Sequence, residues 1–221
     1  MIDLHTHSLF SDGALLPAEL IQRAQCAGYR GLAITDHADQ SNLELVLNNL
    51  LPAVREINQA RKMRTLVGVE LTHLPPGQIA SLAARARALG AQIVLVHGET
   101  LSEPVAPGTN RAAIAARVDI LAHPGLLTLE EARLAAQNGV MLEISARAGH
   151  CLGNGLVASL ARQSGAGLVL NSDSHGPGDL LSLGRAVNIA GGAGLSSDEI
   201  EKMRENSFLL WQRGLALSGQ N

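Results

Sequence analysis

The stretch IDLHTHSLFSDGALLPAELIQRAQCAGYRGLAITDH, residues 2–37, has the pattern of one complete strand–helix–strand unit. Its two apolar runs, Ile2–Leu4 and Leu32–Thr35, are short and nearly continuous, which is typical of strands buried on both faces. Between them, the segment Pro17–Ala27 begins with a proline and is followed at once by Gly28, as helices often are. The stretch therefore predicts two parallel strands joined by a helix.

The same unit repeats along the chain. Five further apolar runs are predicted strands: Leu66–Val69, Gln92–Val96, Asp119–Ala122, Val140–Ile144 and Leu168–Leu170. Further helices are predicted over Leu43–Arg61, with a break or kink at Pro52, and over Gln78–Leu89, Asn110–Ala116, Leu129–Asn138, Gly155–Gln163, Leu180–Ala190 and Ser197–Glu205. Seven alternating units favour an α/β fold, a closed or nearly closed TIM-like barrel forming a single domain over residues 1–221. An open doubly wound sheet is the alternative.

Composition limits the classes of function. Hydrophobic residues make up 46% of the 221 residues and aromatic residues only 2%, so the core must be aliphatic. The net charge is -3 and no basic stripe is present, so a nucleic-acid partner is disfavoured. No apolar window is long enough for a membrane span, and the polar N-terminal region does not fit a signal peptide. Cys26 and Cys151 form no CxxC pair, so we expect reduced thiols in a cytoplasmic protein.

Metal-binding side chains recur where the predicted strands end. They are His5, His7, Asp36, His37, Glu70, His97, His123, Glu143, Asp173 and His175. In a parallel barrel the carboxyl ends of the strands meet at one mouth, where catalytic groups collect. Because residues i and i+2 of a strand share a face, His5 and His7 can bind one metal ion together. Mixed imidazole and carboxylate ligands favour Zn, Fe or Mn.

Two histidines lie outside this pattern. His73 and His150 are interpreted as non-ligands, although His150 follows the sixth predicted strand closely enough to touch a substrate. The loop 101–110 is the longest at the predicted mouth, and its proline and glycine content predicts a defined shape that lines the pocket.

The motifs at the strand ends resemble those of the PHP (polymerase and histidinol phosphatase) superfamily. They are DLHTHS (3–8), SDG (11–13), ITDH (34–37), GVE (68–70), LVHG (95–98), ILAHPG (120–125), EIS (143–145) and NSDSH (171–175). The resemblance covers roughly residues 2 to 190. It implies a distorted (βα)7 barrel that holds up to three metal ions and hydrolyses phosphoesters.

Position by position, the resemblance implies three groups of metal ligands. The first group is His5, His7, Glu70 and Asp173; the second is Glu70, His97 and His123; the third is Asp12, His37 and His175. Glu70 would bridge the first two metal ions. Asp36 and Glu143 match no ligand position and are predicted to support the ligands from behind, Asp36 by orienting an imidazole.

The resulting prediction is a phosphatase that acts on a small phosphorylated metabolite with two to three divalent metal ions. A metal-activated hydroxide would attack phosphorus directly, with Glu70, Asp173 and His175 as catalytic residues. Arg147 is the predicted bidentate phosphate clamp, and Asn171 and Ser174 are further predicted substrate contacts.

Several alternatives stay open. Histidinol phosphate and a nucleotide are both candidate substrates, although histidinol-phosphate phosphatases of this superfamily tend to be longer. An amidohydrolase also carries a His-x-His pair on its first barrel strand, but Glu70 stands where such enzymes use a modified lysine. The third possibility is a metal-binding module without turnover.

Overall fold

The computed structural model describes residues 1–217 and residue 219, so Ser218, Gln220 and Asn221 lie outside the described part of the chain. The strands are β1 (Ile2–Asp3), β2 (Gly31–Ile34), β3 (His37–Ala38), β4 (Arg64–Leu71), β5 (Ile93–His97), β6 (Ile120–Ala122), β7 (Met141–Ser145) and β8 (Leu168–Asn171). The helices are α1 (Pro17–Cys26), α2 (Leu43–Ala60), α3 (Pro76–Ala88), α4 (Thr109–Ala115), α5 (Leu129–Asn138), α6 (Asn154–Ser164), α7 (Leu183–Gly192) and α8 (Ser197–Leu217), with a 3-10 helix over His150–Gly153.

The strands form one parallel sheet in the order β1-β2-β4-β5-β6-β7-β8. β3 continues β2 after a short interruption, because Ile34 and His37 pair with Val67 and Glu70 at the same offset. Beyond β1 and β8, Thr6 pairs with Ser174 in a parallel bridge that brings the first and last strands together. The sheet is thus a nearly closed α/β barrel with seven strand positions. This confirms the predicted barrel against the open sheet.

Two aliphatic layers stabilise the barrel. The interior is filled by Leu4, Ala33, Leu66, Ile93, Leu95, Ile120, Val169 and Leu210. A larger layer lies between the strands and the surrounding helices, and apart from Tyr29 its buried side chains are all aliphatic or methionine. Burial of this apolar surface is the main driving force for folding.

Helix α8 covers the amino-terminal end of the barrel. Leu210 joins the interior layer, and the Trp211 indole donates a hydrogen bond to the carbonyl of Arg64 at 3.1 Å. Asn206 donates to the carbonyl of Leu168 at 2.9 Å. The predicted end of this helix at Glu205 was wrong, because buried positions such as Leu210 continue its packed face into the barrel. Because α8 covers this end, the barrel is open to solvent at the opposite mouth, where the carboxyl ends of the strands lie.

Of the break or kink predicted at Pro52, the break was wrong. Helix α2 continues through Pro52, which lies on its exposed side. Proline removes one backbone hydrogen bond, but on this side water can satisfy the freed carbonyl. The buried residues Leu47, Leu50 and Val54 hold the helix against the sheet.

Within the described residues, no helix combines the length and the apolar character that a membrane crossing requires.

Candidate metal centre

The eight histidines of the chain form one network of neighbouring rings at the mouth of the barrel. Each ring lies near at least one other, with centroids 4.1–6.1 Å apart. His97 ends β5, His123 directly follows β6, and most of the others lie two to five residues beyond a strand end. The parallel order of the sheet brings these segments together. The histidines that the sequence distributes over 170 residues are therefore neighbours in space.

The side chains of the first group converge inside the barrel. His5 Nε2 lies 3.3 Å from Glu70 Oε2, and His7 Nε2 lies 3.2 Å from Asp173 Oδ1. His5 Nε2 is also 3.6 Å from Asp173 Oδ1. Two ligands of a tetrahedral zinc ion are roughly 3.3–3.5 Å apart, since each lies about 2.0–2.2 Å from the metal. The spacing of these atoms fits a shared metal ion.

Glu70 lies between the first and second groups. Its Oε2 faces His5, and its Oε1 lies 3.2 Å from His123 Nε2. The rings of His123 and His97 are neighbours, with centroids 4.5 Å apart. One fully buried carboxylate thus directs its two oxygens to two sets of imidazoles. This is the arrangement that a bridging ligand requires.

The third group lies nearer to solvent. Asp12 approaches His175 Nε2 at 3.2 Å and His37 Nε2 at 3.6 Å. The turn that carries Asp12 packs closely on the backbone of His7 and Ser8, in the segment that follows β1. A Cβ atom at Gly13 would lie 2.3 Å from the carbonyl oxygen of His7, so only glycine fits there without a shift.

The buried donor set is incomplete without cations. Within the described residues, buried side-chain atoms that make no hydrogen bond include His5 Nε2, His7 Nε2, both carboxylate oxygens of Glu70 and Asp173 Oδ1. Buried polar atoms are rarely left without partners, because each costs free energy. These atoms point toward one another and include several carboxylate oxygens. A group of divalent cations fits this cluster and would satisfy it.

The protonation states of several of these ligands suit metal binding directly. Burial lowers the pKa of His7 and of His97 to about 4, so both imidazoles are neutral near pH 7. Burial would raise the pKa of Glu70, but the imidazoles of His5 and His37 hold it well below its usual range. Neutral imidazole and ionised carboxylate are the forms that bind metal ions. At His5, His37 and His123 burial alone would lower the pKa, but neighbouring carboxylates raise it above its usual value, so metal binding there would displace protons.

The supporting carboxylates have different partners. Glu143 accepts a hydrogen bond from His5 Nδ1 at 2.9 Å, which leaves Nε2 of that ring directed at the cluster. Asp36 accepts hydrogen bonds from the backbone and hydroxyl of Ser8 and from the hydroxyl of Ser11. The prediction that Asp36 orients an imidazole was therefore wrong: it holds the turn that carries Asp12.

Of the three predicted substrate contacts, one lies at the mouth and two are buried. Arg147 lies at the mouth, one-third exposed, with Nη1 2.7 Å from His175 Nδ1 and 3.3 Å from the carbonyl of Asp173. Asn171 is fully buried and bonded internally to the backbone of Leu4 and to Glu143. The Ser174 hydroxyl is likewise buried and donates to a neighbouring carbonyl. This geometry favours structural roles for Asn171 and Ser174, contrary to the prediction.

Three mouth residues lie outside the predicted ligand groups. The buried ring of His150 stacks on His123, with centroids 4.1 Å apart. Glu103, from the predicted pocket-lining loop, approaches His97 Nε2 at 3.2 Å and His73 Nε2 at 3.3 Å. His73 and His150 therefore belong to the network from which the sequence pattern separated them. The only signal in the sequence that could have assigned His73 and His150 to this network is that both are histidines.

Backbone strain is concentrated at this mouth. Among the described non-glycine residues, four have positive φ, and three of these are His73 (52°), His123 (29°) and Asp173 (51°). Such conformations cost free energy, and they cluster where side chains must be directed at a ligand.

Comparison with known proteins agrees with the fold. The family model of the PHP domain matches residues 3–138. The chain belongs to the PHP domain family. The uncharacterized protein MJ1295 of Methanocaldococcus jannaschii is 46% identical over 201 residues, covering 90% of this chain and 92% of that protein. Ribonuclease P protein component 3 of Methanosarcina mazei is 32% identical over 204 residues, covering 85% of this chain and 79% of that protein.

A solved structure with the same fold is histidinol phosphate phosphatase from Lactococcus lactis subsp. lactis, in complex with zinc, L-histidinol and phosphate. Its TM-score with this PHP chain is 0.63 at 18% sequence identity, and the match covers 88% of this chain and 94% of that one. At this identity the similarity establishes the shared barrel fold.

Proposed function

We propose that this PHP protein is a metal-dependent phosphatase that hydrolyses a small phosphorylated metabolite. The observation that carries the proposal is the set of buried imidazole and carboxylate atoms at the mouth that make no hydrogen bond. The three ligand groups defined above would hold two to three ions of Zn, Fe or Mn. When bound, such ions lower the pKa of a coordinated water and neutralise charge on a phosphoryl group.

The residues of the chain have distinct tasks in this proposal. Glu70 and Asp173 supply negative charge at the centre of the cluster, and their lowered pKa values keep them ionised near pH 7. His175, whose Nε2 faces Asp12 on the solvent side, would serve as a ligand of the third group, and the leaving oxygen would take its proton from a bound water. Arg147 is next to His175 and would bind the non-bridging phosphate oxygens.

The charge of the mouth favours a small substrate over a polynucleotide. The chain has 17 lysine and arginine residues, but in the loops that follow the strand ends Arg147 is the single one. Binding along a nucleic-acid backbone depends on several cationic contacts. One arginine beside a metal cluster instead suits a single phosphate group. The relationship to a ribonuclease P component makes an RNA substrate the alternative to test.

The proposal is tested by a substrate screen on the metal-reconstituted chain. The panel contains histidinol phosphate, mononucleotides, nucleoside bisphosphates, short RNA and DNA oligonucleotides, and amides, esters and lactones. We expect phosphate release from a small phosphoester. Arg147→Ala should raise KM roughly 10- to 100-fold, the loss expected for hydrogen bonds to a charged group. Cleavage restricted to oligonucleotides, or to amides and lactones, would contradict the proposal.

A further inference from the structure

His150 has an environment that its position in the sequence does not predict. It begins the 3-10 helix after β7 and is 6% exposed. Its ring is stacked on His123 at an interplanar angle of 20° and perpendicular to His97 at 87°. One nitrogen from each of these three buried rings lies within 4.8 Å of the others. Three imidazoles in this relation can bind one metal ion.

The opposite side of the His150 ring is fixed by hydrogen bonds. Its Nδ1 lies 2.7 Å from the Thr100 hydroxyl and 3.1 Å from the Ser102 hydroxyl, both on the loop after β5. When Nδ1 donates its proton to an oxygen, the Nε2 lone pair is free to bind a metal. Metal-binding histidines are commonly oriented by such a partner.

A competing set of ligands shares His97. Glu103 Oε2 lies 3.2 Å from His97 Nε2 and 3.3 Å from His73 Nε2. These two sets cannot both use the same nitrogen of His97. The side chains of His73 and Glu103 are 45% and 40% exposed, so binding would have to order two solvated side chains. The rings of His123 and His150 are already buried and ordered, which favours the set that contains His150.

We propose that His150 is a fourth protein ligand of the second group, which then consists of Glu70, His97, His123 and His150. This inference rests on the metal centre of the proposed function. Three imidazoles and one carboxylate favour a nitrogen-preferring transition metal such as Zn²⁺ or Co²⁺ over Mg²⁺. The Glu103 carboxylate, with Oε1 3.4 Å from His150 Nε2, covers this position from the solvent side.

Cobalt binding to the full chain tests the assignment without measuring turnover. The protein is stripped with a chelator and titrated with Co²⁺ against a competing chromophoric chelator, for wild type, His150→Gln and His73→Gln. We expect His150→Gln to lose one tightly bound Co²⁺. Removing a residue that only hydrogen-bonds to a metal ligand lowers affinity about 10- to 100-fold, so removing the ligand itself should lower it at least as much. His73→Gln, the matched histidine variant, should bind as wild type does.

A second variant gives a positive signal. In His150→Cys the thiol would lose its proton and bind Co²⁺, giving a thiolate-to-cobalt charge-transfer band that wild type and His73→Cys lack. The double variant Thr100→Val/Ser102→Ala keeps the histidine but removes both hydroxyl partners of its Nδ1, and should weaken the same position about 10-fold. This variant decides the matter if neither His150 variant folds.

The outcomes separate this inference from the proposed function. Wild-type cobalt binding in His150→Gln, or in Thr100→Val/Ser102→Ala where the His150 variants do not fold, would overturn the role of His150 and leave the metal centre standing. Loss of cobalt in His73→Gln and Glu103→Gln but not in His150→Gln would assign the position to the competing set. A wild-type chain that binds no cobalt would overturn both proposals.

Discussion

Glu70 is the carboxylate shared by the first and second proposed ligand groups. It is fully buried, and its two oxygens face different imidazoles, His5 on one side and His123 on the other. Without cations, the positive charge that balances it must come from protons on these rings. Burial opposes protonation of His5, yet the carboxylates of Glu143 and Glu70 raise its pKa well above the usual value. Bound metal ions would replace those protons, so metal uptake should release protons.

Replacing Glu70 by glutamine tests the bridging role at the residue scale. The amide keeps the size of the side chain but removes the charge shared by two metal positions. We expect phosphoester hydrolysis to be abolished and bound metal, measured by elemental analysis, to fall by at least one equivalent. Glu130→Gln, an exposed carboxylate on α5, is the control and should match wild type. Wild-type turnover in Glu70→Gln would refute the bridge.

At the scale of elements, the turn between β1 and α1 positions Asp12. Gly13 packs against the backbone of His7 and Ser8, where a Cβ atom would lie 2.3–2.7 Å from three backbone atoms. Gly13→Ala should therefore displace the turn, lower stability by about 1–3 kcal/mol and weaken the third metal position selectively. Denaturant unfolding and metal titration measure the two effects. Gly178→Ala, which meets nothing within 4 Å in another mouth loop, should change neither, and equal effects of both variants would disprove the steric argument.

The start of α8 supplies a pH-dependent contact between elements. Glu199 accepts hydrogen bonds from Arg162 on α6 at 2.7 and 3.0 Å and from the backbone of Ser196. These contacts lower the pKa of Glu199 from 4.5 to about 2. A carboxyl whose pKa is lower in the folded state stabilises the fold above its unfolded pKa, and this contribution is lost as pH falls toward 2.

Glu199→Gln should consequently reduce the free energy of unfolding at pH 7, and the difference from wild type should shrink between pH 4.5 and 2. Denaturant unfolding across this range measures it. Glu201→Gln removes an exposed ion pair with Arg204 within one helix and serves as the comparison, with little effect expected. A pH-independent deficit in Glu199→Gln would show that the ionised contact is not responsible.

At the scale of the whole molecule, the two ends of the barrel differ: one is packed with apolar side chains, and the other contains the candidate metal ligands. Helix α8 covers the amino-terminal end with apolar contacts, while the opposite mouth contains the histidines and the buried carboxylates of the ligand groups. This polarity follows from parallel strands, because every carboxyl end points the same way. Cations would neutralise a cluster that otherwise concentrates negative charge in the protein interior.

The same geometry explains what the sequence could and could not predict. The strands and the residues at their ends follow from local patterns, so His5, His97 and His123 were placed at the mouth by counting along the chain. Asp12 lies on a loop and His150 on a short 3-10 helix, and the positions of both depend on contacts between distant segments. The hydrogen bond between His150 and Thr100 joins residues 50 positions apart, and no local pattern encodes it.

Asn171 and Asp36 illustrate the opposite error. Both stand beside strand ends, where polar residues usually face the mouth, yet both point inward to buried hydrogen-bond partners, which for Asn171 include the Glu143 carboxylate. The direction of a polar side chain at the end of a strand depends on which buried N–H groups need a hydrogen-bond acceptor. In this barrel those donors are the backbone of Leu4 and of Ser8, and the sequence pattern alone does not reveal them.

The central claim is that the mouth binds a cluster of divalent metal ions. Elemental analysis of the chain, purified under metal-replete conditions and freed of loosely bound ions, tests it most directly. We predict more than one equivalent of Zn, Fe or Mn per chain, and a lower number in Glu70→Gln. Less than one equivalent in the wild-type chain under these conditions would contradict the account.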